Sequence, residues 1–134
     1  MGRCGLKLLI VDDQKVIRRS IHLFLKDYNI EVVGEAADGE EAVQLFKKTR
    51  PDVVTVDITM PKMDGLACID ELKKVDPNVR IMVITALADR ATGLIALTKG
   101  ARSYINKPIN PEKLIKAFDK LLKREKDVNA NSHT

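Results

Sequence analysis

The sequence predicts an α/β fold, a parallel sheet covered by helices on both faces, and two observations carry that reading. Short β-branched runs alternate with segments of helical period through most of the chain, which is how successive βαβ units are written. Five such units can be read, and three of their strands are continuous apolar runs, the pattern of strands buried on both faces. At 134 residues the chain suits one compact domain and leaves little room for a second. Neither an internal repeat nor a low-complexity segment is visible.

The strands read as Leu6–Val11, Glu31–Glu35, Val53–Val56, Arg80–Ile84 and Arg102–Ile105; the first, third and fourth are the apolar ones and should be central. The first helix carries Ile17, Ile21, Phe24 and Leu25 on one face. The second opens with Asp38-Gly39-Glu40-Glu41, the D-x-x-E form of a capping box, and turns Ala42, Val43 and Phe46 inward. The third is expected to be capped by Asp64 and to end before Pro77, with Pro61 shaping the preceding loop. The fourth, over 90–99, holds Thr92, Gly93 and Thr98; an internal glycine costs about 1 kcal/mol against alanine, so this should be the least stable helix. Gly100 should end it with positive φ. The fifth repeats a core pattern in Leu114, Ile115, Phe118, Leu121 and Leu122. From Arg124 to Thr134 the chain turns polar without apolar period, so residues 1–123 are expected to form the domain and 124–134 a frayed tail.

Composition excludes several classes. Lysine and arginine total 23 against 19 acids, net +4, and the charges are scattered, which does not imply nucleic-acid binding. Only 4% of residues are aromatic and none is Trp, so stacking platforms for single strands are missing. Cys4 and Cys68 lack metal-ligand spacing and read as idle thiols of a reduced, cytoplasmic protein. Met1-Gly2 suggests myristoylation, but Leu6 stands where that motif wants Ser or Thr, and no apolar run approaches spanning length. A soluble protein with no membrane partner is expected.

In an open parallel sheet, ligands bind outside the carboxyl ends of the strands. The polar residues there are Asp12 and Asp13 after the first strand, Asp57 after the third, Thr85 after the fourth and Lys107 beyond the fifth. Three crowded carboxylates repel one another unless a hard divalent cation takes their oxygens, and Mg2+ suits such a set. His22 and His133 are not placed to serve a softer metal. With cation and Lys107 neutralising phosphate oxygens, a carboxylate can attack phosphorus, and Asp57, alone on its central strand, is the best nucleophile. Taken singly each residue has a plain structural role: a helix cap for Asp12 or Asp13, a turn for Asp57, a strand position for Thr85, a solvated charge for Lys107. The joint pattern, four strands contributing at one end and no such cluster at the other, favours the functional reading.

On these residues the sequence resembles the receiver domains of two-component response regulators, over about Leu6 to Leu122. The resemblance rests on Leu8-Leu9-Ile10-Val11-Asp12-Asp13, Val56-Asp57-Ile58-Thr59-Met60-Pro61-Lys62-Met63-Asp64-Gly65, Ile84-Thr85-Ala86, Gly100-Ala101 and Lys107-Pro108. It implies a flavodoxin-like doubly wound five-stranded sheet in the order 2-1-3-4-5 with five helices. It implies that Asp57 accepts phosphate from a histidine kinase or phosphotransfer protein, and that Asp12, Asp13, Asp57 and the Thr59 backbone carbonyl hold Mg2+. Thr85 would hydrogen-bond the phosphoryl group, Lys107 would pair with it, and Tyr104 would swing inward as Thr85 moves. The altered face of the fourth helix, fifth strand and fifth helix would bind a downstream target, with a phosphatase as a further partner and a monomer or weak phosphorylation-dependent dimer as the assembly. A cis peptide before Pro108 is implied as well. Ile109 stands where the family often has Phe, and Thr59 and Leu87 occupy variable places, so rates do not transfer. Leu87, overhanging the site, would hinder the attacking water and prolong the acyl phosphate.

The run Asp57-Ile58-Thr59-Met60-Pro61 is similar to that of stand-alone chemotaxis regulators, which favours a chemotaxis or phosphorelay shuttle over the front fragment of a DNA-binding regulator. A Mg-dependent phosphatase of the haloacid-dehalogenase type also uses an Asp nucleophile, but wants an acid two residues later, where Thr59 stands. A nucleotide or flavin module on this architecture would want a glycine-rich phosphate loop after the first strand, and none is written there.

Overall fold

The computed structural model describes residues 5–58, 65–85 and 90–131. In chain order they form β1 (Leu6–Val11), α1 (Lys15–Phe24), β2 (Ile30–Ala36), α2 (Gly39–Thr49), β3 (Val53–Asp57), α3 (Gly65–Val75), β4 (Arg80–Thr85), α4 (Arg90–Thr98), β5 (Ser103–Asn106) and α5 (Pro111–Asn131). The five strands make one parallel sheet in the order β2-β1-β3-β4-β5, as the resemblance implies. The three apolar strands, β1, β3 and β4, lie at its centre.

Alternate side chains go to opposite faces of a strand, so the sheet feeds two cores. On one face Leu8, Ile10, Val53, Met82 and Ile84 pack with Ile21 and Leu25 from the first helical segment and Leu114, Phe118 and Leu121 from α5. On the other, Leu9, Val11, Val54, Val56, Ile81 and Val83 meet Phe46 of α2, Ile69 and Leu72 of α3, and Ala96 of α4. The expected helix faces are therefore the buried ones, although Ile17, Phe24, Val43 and Ile115 are only half-buried. Cys68 is a buried free thiol within the second core.

Several boundaries differ from the sequence reading for physical reasons. β3 and β4 each run one residue further than their apolar runs, because Asp57 and Thr85 still hold ladder register with Ile84 and Asn106. α5 continues beyond the expected end at Lys123 to Asn131; Arg124, Glu125 and Lys126 are strong helix formers, and neither Pro nor Gly interrupts the residues up to Asn131. At α2 the Asp38 side chain accepts from the Glu41 amide as expected, but Glu41 reaches back to the Ala37 amide rather than to that of Asp38. The β1–β2 pairing carries a bulge: Leu8 faces Val32 while Leu9 faces Gly34, leaving Val33 as an extra residue on the edge strand.

α4 ends on Gly100 at φ +113, the left-handed geometry that favours glycine. The peptide bond before Pro108 is cis. Cys4, Pro61, Asp64, Leu87 and His133, which the sequence analysis considers, lie outside the described residues, as does Thr59.

Candidate acid pocket at the carboxyl ends of the strands

The parallel ladder brings the ends of β1, β3, β4 and β5 to one rim of the sheet. Asp12 follows β1 and is held there by its amide, which donates to the Ala36 carbonyl at 3.0 Å, and by its Oδ1, which accepts from the Gln14 amide at 2.9 Å. Asp57 closes β3, Thr85 closes β4, and all three are buried. Lys107 follows β5 with its amide on the Thr85 carbonyl at 2.8 Å. Its ammonium lies 3.5 Å from Asp12 Oδ2 and 3.6 Å from Asp57 Oδ2. Asp13 is exposed, yet one oxygen from each of Asp12, Asp13 and Asp57 can be chosen so that all lie within 4.8 Å of one another. The structure thus brings together Asp12, Asp13, Asp57, Thr85 and Lys107 at the rim that the sequence indicates.

The electrostatics of this rim are unbalanced. Burial pushes the Asp12 carboxyl up to about 6; the neighbouring Asp57 charge adds to the effect, while the Gln14 amide and Lys107 oppose it. Asp12 Oδ2 is buried with no hydrogen-bond partner among the described residues, and Lys107 at 3.5 Å is longer than the ~2.8 Å of a strong charge-assisted bond. A buried carboxylate oxygen without a partner, beside two further acid oxygens, is an all-oxygen donor set that fits a hard divalent cation. His22, by contrast, places Nε2 2.8 Å from Glu35 Oε2 on the outer side of α1 and takes no part in it.

Two contributors were not singled out by sequence. Arg18 donates from Nη1 to the Asp12 main-chain carbonyl at 2.6 Å and from Nε to Glu35 at 2.9 Å, tying the acid loop to the edge strand. Burial works to raise Glu35, but hydrogen bonds from Arg18 and His22 outweigh it and hold its pKa below the ordinary value. Gly65 donates its amide to the Ile58 carbonyl at 2.8 Å, and a Cβ there would stand 2.5 Å from the Asp57 carbonyl oxygen. Only glycine lets α3 start so close to the strand that carries Asp57. Its place in the quoted Asp64-Gly65 pair was the available signal; Arg18 had none, because its partner Glu35 faces α1 only through the bulge.

A family model described as the response regulator receiver domain matches residues 8–119. The chain belongs to the response regulator receiver family. The receiver is 40% identical over 119 residues to the chemotaxis protein CheY of Thermotoga maritima, a match covering 89% of this chain and 99% of that protein. It is 40% identical over 118 residues to the CheY of Listeria monocytogenes, covering 88% and 99%. Among solved structures, a CheX-CheY-BeF3-Mg2+ complex from Borrelia burgdorferi superposes with TM-score 0.84 at 34% identity, covering 87% of this chain and 89% of that one. The receiver is accordingly CheY-like, part of two-component signalling and not an enzyme in the ordinary sense. No described helix is long and apolar enough to cross a membrane.

On the α4–β5 side of the receiver, Tyr104 pairs with Val83 and Asn106 with Thr85, so Tyr104 and Thr85 share a sheet face one step apart. The half-buried Tyr104 ring rests against the buried Gly93 of α4, where a Cβ would stand 2.8 Å from Cε2. Beside it Leu94 and Ile95 are exposed, 57% and 45%.

Proposed function

We propose that this receiver accepts a phosphoryl group on Asp57 from a phosphohistidine of a histidine kinase or phosphotransfer protein, with Mg2+, and thereby changes the partner-binding face formed by α4, β5 and α5. The observation that carries the proposal is the buried Asp57 carboxylate at the end of the central strand, 3.6 Å from the Lys107 ammonium and grouped with the oxygens of Asp12 and Asp13. An Asp57 oxygen attacks phosphorus, the bond from phosphorus to the donor nitrogen breaks, and its electron pair stays on the imidazole. Lys107 balances charge on the transferred oxygens, and the Thr85 hydroxyl hydrogen-bonds one of them. Asp12, Asp13, Asp57 and the carbonyl of Thr59 would hold the cation, whose contribution is to neutralise developing charge on the phosphoryl oxygens.

The added charge then biases a two-state surface. Thr85 moves toward the phosphoryl group, and Tyr104, its diagonal neighbour on the same sheet face, follows inward from its place against Gly93. Leu94 and Ile95, exposed beside it, belong to the face a target protein would cover. Whole-length likeness to chemotaxis regulators supports a chemotaxis shuttle in the cytoplasm, acting as a monomer or weak dimer and reset by its own hydrolysis or a phosphatase.

The test is intact mass after incubation with acetyl phosphate, with Mg2+ or with EDTA, for wild type and Asp57→Asn. One covalent phosphate that requires both Mg2+ and Asp57 is the expected result. No adduct, together with no tight complex with beryllofluoride, would overturn the proposal.

A further inference from the structure

The end of the sheet opposite to Asp57 carries a feature of its own. Arg50 after α2, Arg80 at the start of β4 and Arg102 before β5 line one cleft of about 390 Å³, together with Asp52, Asp76 and Asn78. The sequence singles out no functional cluster at this end, but the structure gathers three arginines here beside two acids. Four residue steps of β3 separate the cleft from Asp57, about 13 Å at the extended rise of roughly 3.3 Å per residue.

Arg50, Arg80 and Arg102 outnumber the two carboxylates, Asp52 and Asp76, that line the cleft with them, and each carboxylate also accepts from a backbone amide. Asp52 Oδ2 accepts from the Lys7 amide at 2.9 Å, and Asp76 Oδ1 accepts from the Asn78 amide at 2.9 Å. Behind them Lys73 adds a fourth cation, its Nζ on the carbonyls of Pro77 and Val79 at 3.1 and 3.2 Å. Burial lowers the pKa of Lys73, and the nearby Arg102 charge adds to that lowering against the opposing charge of Asp76. Arg50 is also the one non-glycine with positive φ among the described residues, +48 at the C-cap of α2. Glycine or asparagine would sit there more easily, so a guanidinium is kept at the cleft against local backbone preference.

We propose that this cleft binds a compact oligophosphate, inorganic or carried by a nucleotide, on Arg50, Arg80 and Arg102. Planar guanidinium forks match phosphate oxygens in pairs, and the cleft volume suits a small ligand, at the lower end of the range for such sites. The inference does not depend on phosphorylation of Asp57.

The experiment is an amide chemical-shift titration of the whole chain in EDTA with pyrophosphate, ADP or a polyglutamate peptide as separate probes. Pyrophosphate or ADP is expected to give saturable shifts confined to 50–53, 76–80 and 100–103; tighter binding of ADP would point to a nucleotide source, and equal binding to the phosphates alone. Arg50→Gly is the decisive variant, because it removes a guanidinium while suiting the backbone. It should weaken binding about tenfold, with a melting temperature equal to or above that of wild type, and Arg102→Ala should weaken it similarly. Unchanged affinity in Arg50→Gly, shifts scattered over other lysines and arginines, or binding of polyglutamate alone would overturn the proposal.

Discussion

Replacing Asp12 by Asn should make the cation-free protein more stable while abolishing its response to Mg2+. Burial, with the Asp57 charge behind it, lifts the Asp12 pKa from 3.8 to about 6. That is about two units, and at about 1.4 kcal/mol per unit it amounts to roughly 3 kcal/mol opposing the ionised form in the fold at neutral pH. Asn keeps the oxygen that accepts from the Gln14 amide and presents an amide group to Asp57, so a gain of about 1–3 kcal/mol is expected in EDTA. With a slope of about 1–3 kcal/mol per molar urea, the unfolding midpoint should rise by about 1 M. The folded state keeps a proton on Asp12 that the unfolded chain has lost between pH 3.8 and about 6. Wild-type stability therefore falls as pH rises through that window, and the advantage of the variant should vanish below it. Adding Mg2+ at a hundredfold excess over its dissociation constant should stabilise wild type by about 2.7 kcal/mol and leave Asp12→Asn unmoved. Lower stability of the variant in EDTA, or equal stabilisation of both proteins by Mg2+, would refute the reasoning.

Gly93→Ala gains helix propensity of about 1 kcal/mol but sets a methyl against the Tyr104 ring, a misfit of about 1–3 kcal/mol. A net loss on thermal unfolding and an altered near-ultraviolet tyrosine signal should result. Tyr28 donates to Asp119 at 2.8 Å, and burial first, then that bond, raises its pKa to about 12. Absorbance titration should show one of the two tyrosines ionising near that value, with stability lost as pH rises above the ordinary tyrosine pKa of about 10. Phe118→Ala, at a position with no solvent exposure, should cost about 3–5 kcal/mol in urea unfolding. Amides of α4 should exchange with deuterium faster than those of α1 and the buried part of α5, because α4 combines an internal glycine with two exposed apolar side chains.

Much of the fold was legible because its strongest signals are local. A parallel strand covered on both sides is largely apolar, so β1, β3 and β4 announce themselves despite Lys7, Thr55 and Arg80; helix faces such as Leu114-Phe118-Leu121 follow from period alone. The acid pocket was legible for a topological reason, since strand ends of a parallel sheet share a rim, and Asp12, Asp57 and Thr85 each follow an apolar run. What could not be read depends on contacts between distant segments. The length of α5 reflects propensity where periodicity is silent. The partnership of Arg18 with Glu35 depends on how two strands are registered, and the gathering of Arg50, Arg80 and Arg102 depends on three separate stretches of chain that only the assembled sheet brings together.

The extra residue on β2 bears on which insertions and deletions this lineage can tolerate. Up to Val32 the edge strand keeps step with β1, and past Val33 its side chains have exchanged faces, so that Glu35 stands with Ile10 on the α1 side and Ala36 with Val11 on the other. Removing Val33 alone would restore even alternation with Gly34 still opposite Leu9, Glu35 opposite Ile10 and Ala36 opposite Val11, so Glu35 keeps its place beside Arg18 and His22. Removing a second residue would take one from the ladder itself and, with the bulge gone, turn Glu35 and Ala36 to the opposite faces. Length changes in this segment should thus be accepted by parity rather than by size, a rule that a library of one-, two- and three-residue deletions through 30–36 would expose directly.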